Sequence, residues 1–213
     1  MTQLLRIFFF ACIVRPVLMV VLGVHVRHRK LLPQDGPAVI VANHNSNLDA
    51  LVLMSLYPLA SLNRLRPVAA IDYFHSSPLR RFVAEEIIRI LPVERGGARD
   101  GRDPLAGCYE ALDRGEILIL FPEGSRGAPE RLQELKKGIA HLVKARPDVP
   151  VTPVFMHGLG KVLPKGTLLP VPFNCDVFVG PAYRWEGSIE GFMDRTETAM
   201  TALAAEGEFA PWE

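Results

Sequence analysis

His44 and Asp49 stand five residues apart in the polar turn Asn43-His44-Asn45-Ser46-Asn47-Leu48-Asp49. Imidazole is the side chain best matched to proton transfer near neutral pH. A carboxylate on its second nitrogen fixes the tautomer and stabilises the imidazolium that forms. A spacing of five does not place two side chains on one helix face. The two meet only if His44 lies in the turn and Asp49 opens the next helix, with Ser46 or Asn47 as candidate cap. Taken alone, the stretch also reads as a polar loop with an incidental histidine. Two more polar clusters follow apolar runs, Glu94-Arg95 and Glu123-Gly124-Ser125-Arg126. Paired arginines recognise phosphate in bidentate fashion, and Gly124 and Gly127 let backbone amides approach an anion. The chain has no G-x-S-x-G elbow, P-loop or metal-ligand spacing. A base beside an anion site then points to direct attack by a substrate hydroxyl, and a thioester acyl group suits this better than a phosphoryl centre.

The elements that must position these groups alternate. Apolar runs at 38–42, 67–71, 90–93, 117–121, 151–155 and 175–179 read as strands. Helical patterns begin at Asp49, at Ser77-Pro78 and at Asp103-Pro104, and span Arg131–Ala145 and Ile189–Leu203. This alternation predicts an α/β fold, a single domain with a mostly parallel sheet flanked by helices. The carboxyl ends of parallel strands share a rim, which would gather the three polar clusters into one site.

The 213 residues suit one domain. A formal net charge of +1 does not favour nucleic acid as a partner. Cys12, Cys108 and Cys175 are widely spaced in apolar surroundings and read as buried free thiols in a reducing compartment. The first thirty residues carry five Lys and Arg and no acid. Apolar runs 7–14 and 16–24 are divided by Arg15-Pro16. A spanning helix needs about 20 apolar residues, an arginine at mid-bilayer costs at least roughly 2.5 kcal/mol, and Pro16 would kink the helix. Two short helices hinged at Arg15-Pro16 and lying in one leaflet, a membrane-embedded hairpin, are therefore expected. The basic run Arg27–Lys30 would meet anionic headgroups. If the segment spans, the charge bias puts the remainder on the cytoplasmic face, at the inner membrane in a bacterium. An apolar helix buried in the core is the alternative.

Four ordered blocks between Val39 and Phe155 resemble the glycerolipid acyltransferases, best known as 1-acylglycerol-3-phosphate (lysophosphatidate) acyltransferases. Asn43-His44-x-Ser46-x-x-Asp49 matches N-H-x-S-x-x-D. Val93-Glu94-Arg95 is similar to the second block. Phe121-Pro122-Glu123-Gly124-Ser125-Arg126 matches F-P-E-G-[ST]-R, and Val149-Pro150-Val151-Thr152-Pro153-Val154 matches V-P-V-x-P-V. Gly127 stands where the third block often continues with Ser. The resemblance implies His44 as general base, oriented by Asp49. It implies Glu123, Gly124, Ser125 and Arg126, with Arg95, around the glycerol phosphate of a lysophospholipid acceptor. Lys137-Gly138 resembles a pair that often follows the third block and would add charge there. The resemblance further implies an acyl-CoA or acyl-carrier-protein thioester as donor, no cofactor or metal, and a membrane-seated amino-terminal helix pair. The expected division is residues 1–30 as a membrane-associated segment and residues 31–213 as the acyltransferase domain. Acylation of another lysolipid, such as lyso-ornithine lipid or a headgroup-bearing lysophospholipid, and membrane lipid binding without turnover are the competing readings.

Overall fold

The computed structural model describes residues 2–70, 78–94, 103–125, 132–162 and 173–209. Among these, seven strands form one sheet: β1 (Leu22–Arg27), β2 (Ala38–Ala42), β3 (Leu65–Ala70), β4 (Leu91–Val93), β5 (Ile117–Leu120), β6 (Val151–His157) and β7 (Phe173–Val179). Their spatial order is β1-β7-β6-β2-β5-β3-β4. Neighbours run parallel except for β6 against β7.

β2 lies at the centre, and all five of its residues are buried. Its side chains alternate between two layers. Ala38, Ile40 and Ala42 face a core that includes Val52, Leu53 and Met54 of α3 (Asp49–Ser55). Val39 and Val41 face the opposite core, filled from α5 (Ala106–Asp113), α6 (Gly138–Ala145) and α8 (Ile189–Glu206) by Cys108, Leu112, Ile139, Leu142 and Phe192. Burial on both faces explains why this strand reads as an unbroken apolar run. Each fully buried Val or Ile contributes about 1.5–3 kcal/mol of transfer free energy. The layer is therefore a rigid base for the turn that follows Ala42.

The amino terminus differs from the expected hinged pair. α1 (Thr2–Phe9) passes through a widened π turn, Phe10–Val14, into α2 (Arg15–Val21), with helical backbone on both sides of Arg15. The Arg15 amide donates to the Phe10 carbonyl, five residues back. The wider turn makes room for the Pro16 ring, which would otherwise strike a carbonyl in the preceding turn. Arg6, Phe10, Val14 and Leu18 form the buried stripe, while Leu4, Phe8, Ile13, Val17, Met19 and Val20 are exposed. Cys12 is exposed as well, unlike Cys108 and Cys175.

The arginines of this region turn toward the protein. Arg15 Nη2 donates to the Tyr57 carbonyl at 2.5 Å and to that of Ser55 at 3.5 Å, and Arg29 Nη2 donates to the Leu56 carbonyl at 2.6 Å. These carbonyls end α3, where a cation is favoured by the helix dipole. Arg27 lies over the Phe178 ring.

Two further differences concern local structure. Leu22–Arg27, placed by the sequence within the amino-terminal segment, is the parallel edge strand β1 beside β7. The helix expected from Arg131 begins only at Gly138. Residues 132–136 form no regular element, and the Lys136 amide donates to the Pro122 carbonyl and ties this stretch to the turn after β5. α4 (Pro78–Phe82) continues into a second π turn, Val83–Ile88, and α7 (Leu159–Val162) is a single turn after β6.

Candidate active site

The polar turn leaves the carboxyl end of β2, beside the end of β5. Its geometry rests on Asp49, the first residue of α3, which is fully buried. One carboxylate oxygen, Oδ2, accepts three hydrogen bonds, from the amides of Asn45 (2.7 Å) and Ser46 (2.9 Å) and from His44 Nδ1 (2.9 Å). No serine or asparagine side chain caps α3; the cap position is Leu48, and Ser46 Oγ accepts only the Leu48 amide at 3.3 Å. The carboxylate instead reaches back over the turn, and that folds a spacing of five into a contact.

With Nδ1–H donated to Asp49, Nε2 of His44 carries the lone pair and is free to accept a proton. Burial pushes the Asp49 pKa up, while His44 and the two amides pull against it. The His44 ring stacks on Phe121, with centroids 4.5 Å apart and planes at 25°. The sequence pattern makes Phe121 a core residue, yet it forms the wall that holds the imidazole. Its position directly before Pro122-Glu123 was the available signal.

Glu123 approaches from the turn after β5. Its Oε1 accepts the His44 amide at 3.2 Å. Its Oε2 is buried and meets no donor among the described residues, as does Oδ1 of Asp49. Burial pushes the Glu123 pKa up to about 7, with the nearby Asp49 adding to the rise and the His44 amide opposing it. The folded chain therefore holds this proton over a window in which the unfolded chain, with an ordinary value of 4.5, has lost it. Stability must fall as pH rises through that window. Glu123→Gln keeps an acceptor for the His44 amide and removes the ionisation. Its thermal midpoint relative to the parent is expected to rise by at least about 2 °C between about pH 5 and pH 8. A difference that stays constant with pH would refute this.

Asn43 closes the turn from below. Its amide donates to the Met156 carbonyl at 2.8 Å and accepts the Met156 amide at 2.7 Å, and Asn45 Nδ2 donates to the same carbonyl at 3.2 Å. The end of β2 is thus pinned to β6 beyond their shared ladder. The amides of His44, Asn45 and Ser46 are all engaged by carboxylates, so the amides just after His44 are not the ones open to a developing oxyanion.

Gly124 adopts φ +72, a left-handed conformation that favours glycine. Ser125 is exposed. Of the two lysines, Lys136 is the one laid against this turn: its Cγ lies 3.6 Å from the position of a Cβ on Gly124. Lys137 is the exposed residue before α6. Arg95 and Arg126 lie outside the described residues. The structure thus brings together His44, Asp49, Glu123 and Gly124.

The acyltransferase family model matches residues 23–157, from the edge strand β1 to the end of β6. The 1-acyl-sn-glycerol-3-phosphate acyltransferase BAT2 of Brassica napus is 33% identical over 136 residues, 62% of this chain and 36% of that protein. The Arabidopsis thaliana relative LPAT1 is 34% identical over 62% of this chain and 35% of its own. The human alpha form is 26% identical over 86% of this chain and 64% of its own. The chain thus spans about a third of the length of the two plant relatives. The crystal structure of the 1-acyl-sn-glycerophosphate acyltransferase PlsC from Thermotoga maritima superposes with a TM-score of 0.71 at 19% identity, over 96% of this chain and 79% of that one. Its likeness extends the shared fold beyond the matched region. By this match, which takes in β1 through β6 and the whole His44 turn, the chain belongs to the acyltransferase family.

Proposed function

We propose that the protein transfers a fatty acyl group from a thioester donor, acyl-CoA or an acyl-carrier protein, to the free hydroxyl of lysophosphatidate, giving phosphatidate. The observation that carries this reading is the 2.9 Å contact between His44 Nδ1 and buried Asp49, which leaves Nε2 available as a base. His44 Nε2 takes the hydroxyl proton as the oxygen attacks the thioester carbonyl. The tetrahedral intermediate expels the thiolate, which receives the proton from the imidazolium. No covalent acyl-enzyme is formed. The names of the relatives support lysophosphatidate as the acceptor. Arg126 and Arg95 are assigned to its phosphate from the block pattern, with Glu123, Gly124, Ser125 and Lys137 around the glycerol. The test is acyl transfer from a long-chain acyl-CoA to lysophosphatidate, lysophosphatidylcholine and lyso-ornithine lipid in parallel. Product from lysophosphatidate alone supports the reading, and product only from another acceptor refutes the assigned headgroup.

The protein is assigned to the cytoplasmic face of a membrane, seated by the exposed apolar face of α1 and α2. Thr2–Val20 is also long and apolar enough to cross a bilayer. Its buried stripe and docked arginines favour a helix lying on the surface. Deleting residues 1–30 would remove β1 and uncover core residues, so surface substitutions are the sharper probe. Phe8→Ser, Met19→Ser and Val20→Ser together are expected to weaken sedimentation with anionic vesicles at least about tenfold, given about 1.5–3 kcal/mol per buried apolar side chain. Unchanged sedimentation would show that this face does not meet lipid.

A further inference from the structure

A second charged cluster lies at the opposite rim of the sheet. Glu116 directly precedes β5, and Phe121 directly follows it, five steps on, about 16 Å at roughly 3.3 Å per step. Glu116 Oε1 accepts from Arg89 Nη2 at 3.2 Å, and Oε2 accepts from Arg114 Nη2 at 3.3 Å. Arg66 Nη1 stands 3.8 Å from Oε2. Three guanidiniums thus share one carboxylate. Arg6 of α1 joins the cluster through Asn63: its Nη1 donates to Asn63 Oδ1, while Arg89 donates to the Asn63 carbonyl. The other Arg6 nitrogens are taken by the carbonyls of Ile87 and Glu86.

The positive charge is not balanced. Among the described residues, Glu116 is the one carboxylate within 4 Å of Arg66 or Arg89, and Arg114 has in addition only Glu110 at 3.8 Å. Arg66 is the least satisfied member: its side chain is 14% exposed, its ion pair is long, and its Nε is buried without an acceptor. Arg89 is held at φ 61, a left-handed conformation uncommon outside glycine, and this conformation delivers its guanidinium to the cluster. Burial pushes the Arg66 pKa down, and the neighbouring Arg89 and Arg114 add to this against the pull of Glu116. Arg114 is half exposed, so the cluster opens to solvent. Arg6 also places it beneath the turn of α1 that exposes Leu4, Leu5 and Phe8.

We infer that Arg66, Arg89 and Arg114 form a binding site for a phosphate group, separate from the catalytic turn. A phosphate oxyanion at the part-exposed guanidinium ends would supply the charge that Glu116 alone does not provide. Guanidiniums are suited to it by their planar fork of donors. The group comes from an anionic lipid headgroup beneath α1 or from free phosphate, and the two sources share this chemistry.

The test is calorimetric titration of the full chain with inorganic phosphate against a chloride background of equal ionic strength. Saturable binding is expected, about tenfold weaker in Arg66→Met, as for loss of one charge-assisted hydrogen bond. No phosphate heat beyond the chloride control, or equal affinity in parent and variant, would overturn the site. Should Arg66→Met fail to fold, the more exposed Arg114→Met replaces it with the same expectation. Glu116→Gln adds a contrast, because removing the competing carboxylate is expected to tighten phosphate binding, whereas a purely structural cluster would lose stability and gain no anion affinity. Sedimentation with phosphatidylcholine vesicles, with and without phosphatidylglycerol, distinguishes the sources. Dependence on phosphatidylglycerol that is lost in Arg66→Met assigns the site to a headgroup, and dependence that persists assigns it to free phosphate. These readouts use no turnover, so failure of the acyl-transfer reading leaves them intact.

Discussion

His44→Ala is expected to lower kcat/KM for acyl transfer by about 10²–10⁴-fold, the range for removing a positioned general base. A thioester carbonyl is already activated, whereas the acceptor hydroxyl is a poor nucleophile until its proton is taken. The loss should fall on kcat, because the imidazole contributes most once the hydroxyl begins to transfer its proton. The fold should survive. The ring is partly exposed at 23%, its main packing partner is Phe121, and Asp49 keeps the amides of Asn45 and Ser46 after truncation. Circular dichroism beside the rate measurement separates the two effects. Unchanged turnover in a folded variant would remove His44 from the chemistry.

Asp49→Asn is expected to lower kcat by about 10²-fold or more, with little loss of stability. An asparagine oxygen still accepts the Asn45 and Ser46 amides, so the turn keeps its shape. The same oxygen also accepts from His44 Nδ1, because all three donors meet on the one atom, Oδ2. The substitution removes the negative charge that stabilises the imidazolium as His44 takes the proton. Asp49→Ala gives a different result. It leaves two buried amides without an acceptor, at about 1–3 kcal/mol each, and should lose stability as well as rate. An active Asp49→Asn, or an Asp49→Ala as stable as Asp49→Asn, would contradict the assigned role of this carboxylate.

The legible parts of the chain were those in which one force sets the residue type. β2 and β5 are covered on both faces, so burial alone demands their apolar runs. The contact of His44 with Asp49 followed from a spacing that only a turn opening into a helix can close. β1 was misplaced because His25 and Arg27 suggest a headgroup-facing stretch. Their alternation with Leu22, Val24 and Val26 is the period-two signature of a half-buried strand. The amino-terminal helix was expected to break at Pro16, and the π turn is a backbone solution that no residue type announces. Phe121 reads as core from its apolar run, and only its place directly before Pro122-Glu123 marks it as a ring that could support a base. The phosphate cluster draws Arg66, Arg89, Arg114 and Glu116 from separate segments, so only the folded chain reveals their shared charge.

The most direct test of direct attack by an acceptor hydroxyl is thiol release from a long-chain acyl-CoA, followed in single-turnover and steady-state regimes with and without lysophosphatidate. The predicted result is release that depends strictly on the acceptor, one thiol for each phosphatidate formed, and that is lost in His44→Ala. A burst of thiol without acceptor would reveal a covalent acyl-enzyme, and release unaffected by His44→Ala would place the base elsewhere; either result contradicts the mechanism.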